Sequence, residues 1–73
     1  MNRAKRLVEI ELLKLDIDMD GLVLVWSSYI LGNSKYIFAV PSEGILFEVT
    51  FNKEKNCYYI DRYRKEENTC FYV

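Results

Sequence analysis

Apolar positions recur along this chain with two different periods. From Arg3 to Leu15 the spacing is helical. Ala4, Val8, Leu12 and Leu15 share one face of a wheel, with Leu7 near its edge. Ile10, Leu13 and Ile17 form a second stripe on nearly the opposite side. A helix that is apolar on two faces has two things to pack against. Ala, Leu, Glu, Lys and Arg fill the segment, and all favour a helix. Two features oppose this reading. From Leu13 to Asp20 apolar and polar residues alternate, as in a strand. Arg3, Lys5 and Arg6 at the start, and Asp16 and Asp18 at the end, also run against the helix dipole. Asp is a poor strand former, so the summed propensity predicts a helix from about Arg3 to Leu15.

Beyond Gly21 the helical spacing gives way to short runs rich in β-branched and aromatic residues. Turn-type clusters at Asp20-Gly21, Gly32-Asn33-Ser34, Pro41–Gly44, Asn52–Asn56 and Glu66–Asn68 cut the remainder into short runs. Leu22–Leu31, Tyr36–Val40, Ile45–Phe51 and Cys57–Tyr63 read as strands, and Thr69–Val73 as a last edge strand. In Ile45–Phe51, the residues Ile45, Phe47, Val49 and Phe51 face a core while Glu48 and Thr50 face out. Trp26, in mid-strand, reads as a core residue. Val40 to Gly44 suits a type I turn with Pro second. Connections this short favour an antiparallel meander over βαβ units. The expected fold class is α+β: one N-terminal helix packed on an antiparallel β-meander of three to five strands, in a single domain spanning 1–73.

Size changes the picture. A chain of 73 residues buries only about 60% of its unfolded surface, and one core at this size supplies ~3–5 kcal/mol. Small domains of this kind lean on disulfides, a metal or a second subunit. The two cysteines, Cys57 and Cys70, do not make a disulfide framework. The second stripe, Ile10, Leu13 and Ile17, is then the candidate seam of a homodimer. Pairing of edge strands such as Thr69–Val73 is the rival arrangement.

Charge and chemistry exclude more than they suggest. Ten basic residues stand against eleven acidic ones, so the field that marks a nucleic-acid binder is missing. Glu9, Glu11 and Lys14 interrupt any signal-peptide core after the basic start, and no apolar run approaches the ~20 residues of a membrane span. The expected compartment is the cytoplasm, with reduced thiols. The sequence has no histidine, which removes the commonest general base and transition-metal ligand. Cys57 and Cys70 have neither a histidine partner nor C-x-x-C spacing. The reading is therefore non-enzymatic, with no cofactor, and its partners are a second copy and an unidentified protein.

Two alternatives carry residues. Asp16-Ile17-Asp18-Met19-Asp20-Gly21 matches the D-x-D-x-D-G opening of a calcium loop, with Asp16, Asp18 and Asp20 as ligands. The twelfth position, however, is Ser27 where a bidentate Glu belongs. The plainer reading is an acidic turn between helix and strand. Tyr59, Arg62 and Tyr63 suggest a sheet face that stacks single-stranded bases beside a cation. The same residues also make an ordinary amphipathic strand.

In length, in the Arg3–Leu15 helix and in the strands from Leu22 to about Tyr63, the chain resembles the small YopT family of Bacillus prophage proteins. That resemblance implies a helix with three strands, a homodimer and a phage origin. It implies no site residues and no activity.

Overall fold

The computed structural model describes residues 2–66 and 69–72. One helix, α1 (Asn2–Lys14), precedes four strands: β1 (Val23–Ile30), β2 (Asn33–Val40), β3 (Ile45–Asn52) and β4 (Cys57–Arg64). The strands form one antiparallel sheet in the order β1-β2-β3-β4, a simple meander. This is the α+β layout expected from the change of period. β2 is longer than the run Tyr36–Val40 because ladder pairing with β1 and β3 recruits the polar residues Asn33, Ser34 and Lys35.

The helix ends in a Schellman arrangement. Ile17 N–H donates to the Leu12 carbonyl at 3.0 Å and Asp16 N–H to that of Leu13 at 3.1 Å. Asp16 takes the left-handed conformation, φ 58°, that the motif requires. The chain then runs along the edge of the core. Leu15, Ile17 and Met19 pack against it while Asp16, Asp18 and Asp20 stay exposed. The alternation of Leu13–Asp20 is thus real, but it belongs to a connecting segment and not to a strand. Asp18 caps the short 3₁₀ turn Met19–Gly21 by accepting from Asp20 N–H at 2.9 Å.

Two glycines shape the meander. Leu31 (φ 52°) and Gly32 (φ 84°) join the paired residues Ile30 and Asn33, a two-residue loop of the primed type that matches strand twist. Pro41–Glu43 forms a short 3₁₀ turn after Val40, with the i→i+3 bonding of the expected type I turn and Pro in its expected second place. It closes on Gly44 at φ 65°, whose carbonyl accepts from Lys65 N–H at 2.7 Å.

The core lies between α1 and the central strands. Among the described residues Ala4, Val8 and Leu12 from the helix and Phe38, Val40, Ile45, Phe47 and Val49 from β2 and β3 are fully buried. Burying each large side chain contributes about 1.5–3 kcal/mol, so this small set makes a thin core. Phe51 faces the same side but is half-buried, its ring tilted 47° against that of Tyr58 with centroids 4.8 Å apart.

Two expectations need correction. Residues 69–72 are not part of the sheet, and Phe71 and Tyr72 are exposed; β1 and β4 are the edges instead. Of the expected turn Glu66–Asn68 and last strand Thr69–Val73, the residues Glu67, Asn68 and Val73 lie outside the described residues. Trp26 is not core but 48% exposed. The register shifts between Leu24 and Trp26, so Val25 is an extra residue. One inserted residue exchanges the two faces for everything after it, and Trp26 turns away from the helix.

Candidate functional site

Alternation along the strands sorts the sheet into two faces. The inner one carries Phe38, Phe47 and Val49 and lies under α1. No element among the described residues covers the other. Its composition follows from the pairing register, read as rows across β1 to β4. One row is Val23, Ala39, Leu46 and Tyr63. The next is Trp26, Ile37, Glu48 and Asp61. A third is Ser28, Lys35, Thr50 and Tyr59. Val23, Trp26, Tyr59 and Tyr63 are each about half exposed. The molecule measures only 16 Å along its shortest axis, which is two layers and no more.

The charges on this face are uneven. Glu48 and Asp61 are direct cross-strand partners, and like charges so placed repel. Lys35 relieves one of them, with Nζ 3.6 Å from the Glu48 carboxylate. Near the β1–β2 turn a shallow hollow of about 370 Å³ is lined by Trp26, Ser28, Leu31, Asn33, Lys35 and Thr50. Tyr59 titrates above its ordinary value. The Cys57 thiol is the cause, first as a hydrogen-bonding partner and then as a charge, with slight burial adding to it.

The residues singled out from sequence are distributed unevenly. Ile10 and Leu13 are exposed on the outer side of α1. Ile17 is not with them, because the Schellman turn folds it onto the core. The helix stripe therefore keeps two residues of three. Tyr59 and Tyr63 share the uncovered face, but Arg62 pairs with the buried Phe47 and so belongs to the opposite one. The cation of that trio is separated from its aromatics by the sheet itself. Asp16, Asp18 and Asp20 are exposed and dispersed, with Asp18 engaged by backbone. Among the described residues no three acidic or thiol groups are gathered as a metal site would need. Cys57 and Cys70 are both free thiols.

Sequence reasoning missed the surface as a whole. Ile37, Ala39 and Leu46 hold alternate positions of strands beside the singled-out Tyr59 and Tyr63, but assigning Trp26 to the core hid the β1 side of the patch.

No described helix is long and apolar enough to cross a membrane. No curated protein and no solved structure matches the chain. A family pattern matches it over residues 2–73, helix and all four strands included, and the chain belongs to that family, the family of unknown function DUF6275.

Proposed function

We propose that this protein is a non-enzymatic, homodimeric interaction protein of the cytoplasm. The observation that carries the reading is the uncovered sheet face, on which Trp26, Tyr59 and Tyr63 stand half exposed beside aliphatic neighbours. Large apolar side chains gathered on one exposed face mark interaction surfaces, and Trp and Tyr are enriched there. The thin core supports the same reading, since a second subunit supplies the burial that a chain of this size lacks. Two thiols without a disulfide framework support the compartment. The phage origin rests on the resemblance of layout alone.

Base stacking on the same aromatics is the weaker reading. Glu48 and Asp61 give that face an acidic centre, and phosphate contacts need the reverse.

Light scattering across a concentration series tests the proposal. A mass near twice 8.7 kDa is expected. A mass of 8.7 kDa at every concentration overturns it.

A further inference from the structure

We infer that the uncovered face is a two-fold interface with a second copy of this chain, strand-aligned, so that β1 of each copy lies over β4 of the other. This rests on the homodimeric reading above and names its seam.

Area makes the first argument. Four strands of eight residues span roughly 19 Å by roughly 26 Å at ordinary strand spacings. One copy then offers on the order of 500 Å² and two copies about 1,000 Å², the threshold for a specific interface. Among the described residues, the exposed large apolar side chains of α1 are Ile10 and Leu13. Edge pairing is hampered at β1 by the extra residue Val25, the kind of bulge that protects an edge.

Self-complementarity makes the second. A two-fold axis running along the strands between β2 and β3 maps each row onto its own reverse. Val23 then lies over the partner's Tyr63, joining an apolar pair. Trp26 lies over the partner's Asp61. The indole N–H is a donor only and the carboxylate an acceptor only, so the pair is matched in chemistry as well as position. Ser28 meets the partner's Tyr59, hydroxyl to hydroxyl. Lys35 of each copy arrives beside Glu48 of the other, so each Glu48, already 3.6 Å from its own Lys35, gains a second cation against the repulsion from Asp61. Sheets stacked about 10 Å apart leave room for one interdigitated layer of side chains. The assembly has four layers, with both helices outside.

Trp26 is the one tryptophan, so its fluorescence reports on this face alone. Acrylamide quenching of the wild-type dimer is expected to be several-fold weaker than that of a free tryptophan amide. Tyr63→Glu should raise the dissociation constant tenfold or more, because it sets an unpaired carboxylate against the partner's Val23, and restore quenching, with the circular dichroism of the fold retained. Leu13→Glu should change neither mass nor quenching. A wild-type dimer whose Trp26 is quenched like the free amide, or a dimer that Leu13→Glu dissociates, overturns the sheet-face seam while leaving homodimerisation intact. A wild-type mass of 8.7 kDa throughout overturns both. Should Tyr63→Glu fail to fold, quenching of the wild type against the free amide decides the matter.

Discussion

Ile17 donates its backbone N–H to the carbonyl of Leu12 at 3.0 Å, five residues back, and the same turn lays its side chain on the core. This contact decides where α1 ends and removes Ile17 from the outer stripe of the helix. Its geometry requires Asp16 at φ 58°, where an L side chain costs roughly 1–2 kcal/mol, less for Asp than for most. A carboxylate at this end of a helix also opposes the dipole.

Asp16→Gly should therefore stabilise the fold by about 0.5–1 kcal/mol, combining relief of both effects against glycine's greater chain entropy. Asp16→Val should destabilise it by about 1–2 kcal/mol. Urea unfolding of the two variants, with unchanged slope, measures the difference. Equal midpoints would mean that Asp16 is not held left-handed in solution.

The β1–β2 turn is strained in the same sense. Leu31 occupies a left-handed position at φ 52° and is 93% exposed, in a loop type that favours Asn-Gly. Leu31→Asn should gain about 1 kcal/mol and raise the melting temperature by several degrees. Differential scanning calorimetry is the check, and a lower melting temperature would show that Leu31 holds contacts that outweigh the strain.

Titration of Tyr59 should betray its neighbour. Its hydroxyl is held above the ordinary value by Cys57, so the folded state favours the protonated form. The sign follows from linkage: this contribution is present below about pH 10 and is lost as pH rises through the folded-state value. Cys57→Ala should bring the Tyr59 transition back down toward ordinary tyrosine. Absorbance at the tyrosinate band, compared across wild type, Tyr59→Phe and Cys57→Ala, isolates the one group. An unmoved transition in Cys57→Ala would show that the thiol is not the cause.

Much of this architecture was legible from periodicity. The switch near Gly21 from helical spacing to short β-branched and aromatic runs, alternating most cleanly in Ile45–Phe51, predicted one helix and a meander. Ala4, Val8 and Leu12, and Ile45, Phe47 and Val49, were correctly assigned to the core by their spacing. Turn residues located the hairpins, since Gly32, Pro41 and Gly44 meet backbone demands that are local. What the tertiary structure alone decided were matters of register and direction. An extra residue at Val25 reverses the faces of β1 and brings Trp26 out; no local preference records which strand residue goes unpaired. The Schellman turn sends Ile17 inward and leaves Ile10 and Leu13 as a short stripe. Arg62 is parted from Tyr59 and Tyr63 once β3 fixes which side of β4 is inner. The rows that align Trp26 with Ile37, Glu48 and Asp61 join residues distant in the chain, and pairing between strands is set by the packing of the whole sheet under its helix.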